Sequence, residues 1–393
     1  MTSPSLLLTF NAGSSSVKIG IFEVEARAAR MTGKAVIDLR AKPLVFTVDQ
    51  GPKPFQVGMK SSVTADMHDV IDEAFAILSD HFDMNAVAAV GHRVVHGGDR
   101  FLNVVALDEA TIEAIDALTP LAPLHQPEAL RFIRAVAHLK PALTQAASFD
   151  TAFHATQHDL VRRFAIPRAL HDQGIKRYGF HGLSYQFVSS ELSRRAMKPV
   201  GKTVIAHLGS GASLCALEDG VSRDCSMGFS TLDGIPMATR PGWLDVGVVL
   251  HLLDQKKMSY AELEDMLYHK SGLLGVSGKS ADTRALLKDD SPEAGEAIDL
   301  FVLRIAGEIG RMASTLGGID TLVFTAGIGE HQPEIREKVL ERLAWLGVDI
   351  DPDANADNAF RISTGESRVS AYVIATNEEQ VIADEVLAIL GRS

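Results

Sequence analysis

The chain has 393 residues, enough for two or three domains with ample hydrophobic cores. Its net charge of −12 argues against a nucleic acid or an anionic membrane as partner, so local cations must hold any anionic ligand. The two cysteines lack CxxC spacing, and no apolar run or N-terminal pattern indicates a membrane span or a signal peptide. We therefore expect a cytoplasmic protein in a reducing compartment.

The first predicted element is a hairpin over residues 7–22, in which two apolar strands flank a small polar corner. Gly13 and the serines 14–16 form the corner, so backbone N–H groups and hydroxyls can face one point with little side-chain bulk. Such a corner can cradle phosphate oxygens, and Lys18 supplies a cation beside it. An ordinary serine-rich hairpin has the same pattern, so both interpretations stay open.

The same pattern recurs over residues 203–214, where a second apolar strand, a glycine corner and another apolar strand follow one another. Gly209 aligns with Gly13 at an offset of 209 − 13 = 196 residues, close to half of the chain. A repeat at this period predicts two similar halves, each with a phosphate-facing hairpin. Two such hairpins across a cleft could hold the phosphate chain of a nucleotide.

Helices and strands are predicted to alternate along the rest of the chain, which favours an α/β fold with mixed sheets. The predicted helices are at residues 66–82, 108–118, 128–139, 260–269, 292–316 and at the C-terminus. The further predicted strands are at residues 86–90, 145–149, 321–325 and 372–375.

Five polar side chains stand beside glycines or at the ends of predicted strands. Arg93 suits a bidentate clamp for a carboxylate, although a structural ion pair has the same signature. Asp150 would face the ligand crevice of an α/β sheet or cap a helix. His181 and Arg240 are either site residues or a core histidine and a surface arginine. Glu378 could hold a metal ion, or it could favour a helix N-terminus.

Eight segments, taken together and in order, resemble the acetate kinase family over essentially the whole chain. They are NAGSSSVK at 11–18, RVVHGG at 93–98, APLH at 122–125, FDTAFH at 149–154, RYGFHG at 177–182, HLGSG at 207–211, SMGF at 226–229 and TNEE at 376–379. The resemblance implies two duplicated ribonuclease-H-like domains with mixed sheets and a central cleft, the actin-like ATPase fold. We expect one domain at 1–150, joined by a C-terminal helix at about 380–393, and a second at 151–379.

The resemblance also implies roles for the residues that match the family's motifs. The implied catalytic residues are Asp150, His181 and Arg240. The implied acetate ligands are Arg93 for the carboxylate and Val95, Leu124, Phe180 and Thr231 around the methyl group. The implied nucleotide contacts are Lys18, His207, Leu208, Gly209, Ser210, Gly211, Asp282, Thr283, Arg284, Ala326, Gly327, Ile328, Gly329 and Glu330. The implied magnesium site consists of Asn11 and Glu378.

Three positions depart from the family's usual pattern. Ser210 replaces the usual asparagine of the second hairpin but can still donate a hydrogen bond. Thr231 replaces a proline of the methyl pocket, which alters that pocket slightly. Trp243 stands where the family has a Ser-Gly-Asp-type sequence after Arg240, and it could narrow the entrance to the site.

The activity implied is reversible in-line transfer of a phosphoryl group from ATP to acetate, giving ADP and acetyl phosphate. It requires Mg²⁺, for which Mn²⁺ could substitute, and the family resemblance suggests a homodimer. A propionate kinase of the same family is the close alternative, because one methylene changes selectivity by only about 1–3 kcal/mol. A non-catalytic nucleotide-dependent switch is the other alternative, against which the presence of all the expected catalytic residues argues.

Overall fold

The computed structural model describes residues 5–13, 16–25, 28–51, 53–62, 67–196 and 201–391. Ser14 and Ser15 of the predicted phosphate-facing corner, and Asp66 at the predicted start of the first helix, lie outside the described residues. The chain divides into a first unit, Met1–Phe153 with Asn377–Ser393, and a second unit, His154–Thr376. Residues 151–153 and 377–379, which we expected in the second domain, thus belong to the first unit.

The first unit contains a mixed sheet of eight strands in the order β5-β4-β3-β2-β1-β6-β8-β7. Strand β1 pairs antiparallel with β2 and parallel with β6, and β6 pairs parallel with β8. The strands are β1 Ser5–Ala12, β2 Ser16–Glu25, β3 Ala28–Asp38, β4 Val45–Gln50, β5 Phe55–Gly58, β6 Val87–Val94, β7 Val105–Ala106 and β8 Thr144–Phe149. The predicted hairpin is therefore β1–β2, and the predicted strand at 86–90 continues to Val94.

Helices α1 Met67–Ser79, α2 Glu109–Asp116 and α3 Gln126–Leu139 cover this sheet, together with the C-terminal helix Glu378–Leu390. The apolar stripe of α1 is buried, as its helical spacing predicts. The C-terminal helix packs closely on β6, because a Cβ added to Gly91 would lie only 2.5 Å from Ile382 Cγ2. That close packing places the first turn of the C-terminal helix in the first unit.

The second unit contains a mixed sheet of five strands in the order β11-β10-β9-β12-β13. The strands are β9 Lys202–Leu208, β10 Ala212–Glu218, β11 Val221–Cys225, β12 Thr321–Thr325 and β13 Ser370–Val373. Strand β9 pairs antiparallel with β10, which is the predicted second hairpin, and parallel with β12. Strands β2-β1-β6-β8 of the first unit and β10-β9-β12-β13 of the second thus share one pattern of directions, as the sequence repeat predicts.

The helices of the second unit are α4 Asp159–Arg162, α5 Arg168–Asp172, α6 Gly182–Ala196, α7 Val246–Asp254, α8 Tyr260–His269, α9 Gly272–Ser277, α10 Thr283–Leu286, α11 Pro292–Leu316, α12 Ala326–His331, α13 Pro333–Arg342 and α14 Pro352–Ala356. Helix α11 has the predicted bounds and ends at Gly317, whose φ of 66° is the left-handed conformation that stops a helix. None of the helices within the described ranges is both long and apolar enough to cross a bilayer.

Cys215 on β10 and Cys225 on β11 are partners in the strand register, and both are buried free thiols. Burial raises the pKa of the Cys225 thiol to about 12, so this thiol stays protonated at neutral pH. The pair therefore forms part of the core of the second unit.

Candidate active site

Three polar side chains meet at the carboxyl ends of neighbouring strands in the first unit. Arg93 near the end of β6 donates from Nε to Asp150 Oδ1 at 3.0 Å and from Nη2 to Asp150 Oδ2 at 2.5 Å. Asp150 directly follows β8 and is only 1% exposed. Arg93 Nη1 also donates to Oδ1 of Asn11, at the end of β1, over 3.2 Å. The structure thus brings the expected acetate ligand and the expected catalytic aspartate into one bidentate ion pair.

Electrostatics keep Arg93 fully charged. Burial alone would lower the pKa of its guanidinium, but the neighbouring carboxylates of Asp150, Glu378 and Glu379 raise it above its ordinary value. Three of the five N–H groups of the guanidinium are engaged by Asp150 and Asn11 in the described chain. Two N–H groups remain for a further acceptor.

The C-terminal helix adds two carboxylates to this cluster. Asn11 Nδ2 donates to Glu378 Oε2 at 2.7 Å and to Glu379 Oε1 at 3.1 Å. Glu379 is buried and was not among the predicted site residues, although it is adjacent to Glu378 in the TNEE segment. Three carboxylates now face a single guanidinium, and this excess of negative charge favours a divalent cation.

The oxygen donors in this cluster suit magnesium. Mg²⁺ binds through one or two carboxylates together with phosphate oxygens and water, so it does not need a cage made of protein side chains. The described residues contain no group of three or more His, Cys, Asp or Glu side chains arranged as a metal site. Glu378, with Asn11 beside it, therefore fits the expected magnesium position.

Three further predicted site residues belong to the first unit. Lys18 on β2 is exposed and is the strand partner of Asn11. Val95 directly follows β6 and is buried, whereas Leu124 precedes α3 and is 40% exposed.

In the second unit the two expected site histidines stack on each other. Their ring centroids are 4.2 Å apart, and their planes are inclined by 15°. His207 ends β9 beside the glycine corner, and His181 precedes α6 with a positive φ of 58°. A positive φ is strained for a histidine, so neighbouring contacts must hold it.

Buried neighbours hold the loop of His181 in place. His154 Nε2 lies 2.9 Å from the carbonyl oxygen of Phe180, and a Cβ added to Gly179 would lie 2.6 Å from the His154 ring. Burial lowers the pKa of His154 to about 4, so its ring is neutral and can donate to that carbonyl. Phe180, an expected methyl-pocket residue, is itself 1% exposed.

Hydroxyl groups contact the Nδ1 atoms of both stacked histidines. His181 Nδ1 lies 2.8 Å from Ser213 Oγ, which lies 2.5 Å from the hydroxyl of Tyr185. His207 Nδ1 lies 2.8 Å from Ser184 Oγ, which lies 2.9 Å from Oγ1 of Thr376. None of these hydroxyl residues was among the predicted site residues, although Thr376 belongs to the TNEE segment.

The glycine corner 209–211 lies against the Nε2 atoms of the histidines and against Arg240. A Cβ added to Gly211 would be 2.9 Å from Arg240 Nη2 and 3.5 Å from His181 Nε2. One added to Gly209 would be 3.9 Å from His207 Nε2. Both Nε2 atoms and the guanidinium therefore approach one stretch of backbone that carries no side chains at these glycines.

Arg240 is half-buried and is held by a backbone carbonyl, since its Nη1 donates to the Thr231 oxygen at 2.9 Å. Burial lowers the pKa of its guanidinium, while Tyr268 raises it. An arginine stays charged at neutral pH even so, because its ordinary pKa is so high. Thr231 thus contacts the expected catalytic arginine through its main chain.

Two of the predicted nucleotide segments are neighbours. The turn at 326–330 is helix α12, whose first residue Ala326 has a φ of 64°. Glu330 Oε1 accepts from the backbone N–H of Ala326 at 2.8 Å and of Thr376 at 3.1 Å, which fixes this turn. A Cβ added to Gly209 would lie 3.7 Å from Ala326 Cβ, so the two glycine turns adjoin.

The third predicted nucleotide segment lies at helix α10. Asp282 caps that helix and forms an ion pair of 2.7 Å with Arg284, whose side chain is exposed. Thr283 between them is buried. Ser210 at the tip of the second hairpin is exposed, and its carbonyl accepts from the N–H of Ala238 at 3.2 Å.

The sequence profile of the acetokinase family matches residues 6–384. The chain belongs to the acetokinase family. It is 47% identical over 389 residues to the acetate kinase of Rhodopseudomonas palustris strain TIE-1, with 97% of each chain covered. It is 42% identical over 392 residues to the acetate kinase of Rickettsia prowazekii, covering 98% of this chain and 99% of the relative.

Solved structures agree with this assignment. The crystal structure of Porphyromonas gingivalis acetate kinase superposes with a TM-score of 0.89 at 32% identity, covering 98% of this chain and all of that one. A propionate kinase from Francisella tularensis superposes with a TM-score of 0.90 at 34% identity, covering 97% and 98% of the two chains. This acetokinase therefore has the α/β, actin-like ATPase fold that the sequence motifs implied, and its family uses ATP.

The acetokinase structure groups the predicted site residues within each unit. In the first unit it brings together Asn11, Arg93, Asp150 and Glu378, and in the second His181, His207, Arg240 and the glycine corner. The roles of these residues remain predictions. Glu379 and the serines that contact the histidines are the polar residues that sequence reasoning missed.

Proposed function

We propose that this chain transfers the terminal phosphoryl group of ATP to acetate, reversibly, and forms ADP and acetyl phosphate. The observation that carries the proposal is the 47% identity to the R. palustris acetate kinase over 97% of both chains. Acetate is already ionised at neutral pH, because carboxylic acids titrate near pH ~4–5. The nucleophile therefore needs no general base, and the physical difficulty is the repulsion between an anion and a polyanion.

The environment of Asp150 supports this chemistry. Its carboxylate accepts three hydrogen bonds from two N–H groups of a charged guanidinium, and this ion pair makes it a poor general base. We assign Asp150 to positioning Arg93 and the metal-bound phosphates. The two remaining N–H groups of Arg93 are suited to the carboxylate of acetate.

In the second unit, His181 and Arg240 supply the donors for the transferring phosphoryl group. Their Nε2 and Nη2 atoms approach the side-chain-free corner at Gly211, where phosphate oxygens can come close to the backbone. Donors fixed before the reaction stabilise charge that develops in the transition state. The corner 209–211 and the turn 326–330 would contact the nucleotide.

Magnesium would be held by Glu378, with Asn11 beside it and Glu379 adding negative charge. When bound, the ion neutralises charge on the nucleotide phosphates. Asn11 orients the two glutamates through its amide, and Arg93 balances their charge. Mn²⁺ has the same preference for oxygen ligands and could substitute.

Trapping with hydroxylamine tests the proposed reaction directly. The protein incubated with ATP, Mg²⁺ and acetate should convert hydroxylamine to acetyl hydroxamate, because acetyl phosphate is an activated acyl donor. The matched control omits acetate and should yield no hydroxamate. ATP hydrolysis without hydroxamate in the complete mixture would contradict the proposal and favour the nucleotide-dependent switch.

Propionate is the second candidate acceptor, because the chain also superposes on a propionate kinase. Thr231, where the family usually has a proline, is the departure expected in the methyl pocket. We expect acetate to have the higher kcat/KM, since the curated relatives at 42–47% identity are acetate kinases. A higher kcat/KM for propionate in the same assay would reassign the substrate but keep the reaction.

The chain is proposed to form a homodimer through α7. None of the residues of this helix is buried within the described chain, although Val246, Leu250 and Leu253 form an apolar stripe that is 74%, 64% and 37% exposed. Large exposed apolar patches mark interaction sites, and a copy of the same helix offers a matching uncharged face.

Sedimentation should show a dimer for the wild type and a monomer for Leu250→Glu. Leu160→Glu, at a residue 74% exposed on α4, should remain dimeric, and a dimeric Leu250→Glu variant would contradict this interface.

A further inference from the structure

The two stacked histidines of the second unit are supported in the same way. In each case a serine hydroxyl lies 2.8 Å from Nδ1, and a second hydroxyl lies within 2.9 Å of that serine. We call Tyr185–Ser213–His181 the first relay and Thr376–Ser184–His207 the second. In both, the Nε2 atom is the one that approaches the glycine corner.

We propose that the first relay fixes the tautomer of His181, so that its neutral ring presents an Nε2–H donor toward the glycine corner. Tyr185 and Ser213 are positioning residues in this scheme: the phenol donates to the serine, and the serine donates to Nδ1. A ring that accepts at Nδ1 must carry its proton at Nε2. The inference deepens the proposed function, because an Nε2–H is what a phosphoryl oxygen needs as a partner.

The local fold explains how this relay is assembled. Tyr185 lies in the first turn of α6, and its backbone N–H donates to the carbonyl oxygen of His181 at 3.1 Å, which ties the two residues together. Ser213 on β10 is the strand partner of His207, which places its hydroxyl beside the stacked rings. Tyr185 and Ser213 are both fully buried, so water does not compete for their hydrogen bonds.

The buried phenol can act as the donor of the first relay. Burial raises the pKa of Tyr185 well above its ordinary value, so the phenol keeps its proton. The ring stacking disfavours a doubly charged pair, because two imidazolium rings with centroids 4.2 Å apart would repel each other. Two neutral rings with fixed Nε2–H groups avoid this repulsion and can accept the hydrogen bond from the serine. The permanent charge of Arg240 lies beside them.

Nitrogen-15 NMR of the histidine-labelled full-length protein, without substrates, tests the proposal. The His181 signals, assigned by their loss in His181→Gln, should show a protonated Nε2 and an unprotonated Nδ1. In Ser213→Ala the His181 ring should become a mixture of tautomers while His207 keeps its own. The same variant should lose about 10- to 100-fold in kcat with the KM for acetate unchanged, the range seen when a residue that orients a metal-bound histidine is removed.

Further variants keep the test decisive. Tyr185→Phe should shift the His181 tautomer in the same direction, and Ser213→Thr, which keeps the hydroxyl, should restore it. Tyr372→Phe, at another buried tyrosine of the second unit, should leave the His181 signals and kcat at wild-type values. A wild-type ring protonated at Nδ1, or a Ser213→Ala variant with an unchanged tautomer, would overturn the proposal. Because the NMR needs no turnover, absence of acetyl phosphate would refute the function and leave the relay standing.

Discussion

Replacing Arg240 with alanine should lower kcat by about 100- to 1,000-fold, or ~3–4 kcal/mol in the transition state, as does loss of one preorganised donor elsewhere. The reason is its position: Nη2 points at the corner of Gly211, and Nη1 is held by the Thr231 carbonyl. No carboxylate in the described chain pairs with Arg240, so its charge is available to a phosphoryl group. The KM for acetate should change little, because the role concerns charge that develops during transfer.

Steady-state kinetics with Mg-ATP and acetate measure the effect. Arg342→Ala, at an exposed arginine on α13 of the same unit, is the matched control and should keep the wild-type kcat. The kcat of Arg240→Lys should lie between those of Arg342→Ala and Arg240→Ala, because an ammonium keeps the charge but loses the planar guanidinium fork. If kcat in Arg240→Ala stayed at the wild-type value, the transition-state role would be wrong.

The duplicated fold was predictable because its signals are local. The two glycine corners mark hairpins β1–β2 and β9–β10, and the apolar runs after them mark the parallel partners β6 and β12. Helix α11 has the predicted bounds because a proline begins its run of helically spaced apolar residues and a glycine follows its end. The order of the eight motifs along the chain then indicated the family, which the spacing of apolar residues alone could not indicate.

The arrangement of the site was harder to predict because it depends on contacts between distant segments. Glu378 was expected in the second domain, but close packing of the C-terminal helix on Gly91 brings it to Asn11 in the first unit. For Arg93, the sequence left a carboxylate clamp and a structural ion pair open. The structure shows the ion pair with Asp150, while the clamp remains a proposal.

The hydroxyl relays were missed for a similar reason. Ser213 and Tyr185 are 28 residues apart, and they meet His181 only because its backbone adopts a φ of 58°. No sequence pattern marks a histidine with positive φ. Residues that orient a site residue are therefore found from the structure, whereas residues that contact the ligand can be found from motifs.

Removing Arg93 should destabilise the first unit by about 3–5 kcal/mol, because it leaves the carboxylate of Asp150 buried without its partner. Asp150 is 1% exposed, and Arg93 also holds Asn11, so alanine removes four hydrogen bonds at the ends of β1, β6 and β8. Adding Asp150→Asn to Arg93→Ala should recover part of the lost stability, since burying an unpaired amide costs less free energy than burying an unpaired charge. Hydrogen exchange of the β6 and β8 amides measures the free energy of opening in this unit.

A surface ion pair in the same unit provides the control for the Arg93 and Asp150 variants. Arg134 and Asp116 lie 2.6 Å apart, but their side chains are 50% and 45% exposed, so Arg134→Ala should cost less than about 1 kcal/mol. Equal losses for Arg93→Ala and Arg134→Ala, or a double variant no more stable than Arg93→Ala, would contradict the account of a buried pair. Kinetics distinguish the role of Arg93 from that of Arg240. Arg93→Ala should raise the KM for acetate as well as lower kcat, because in the proposed function the guanidinium that orients Asp150 also binds the substrate through its last two N–H groups.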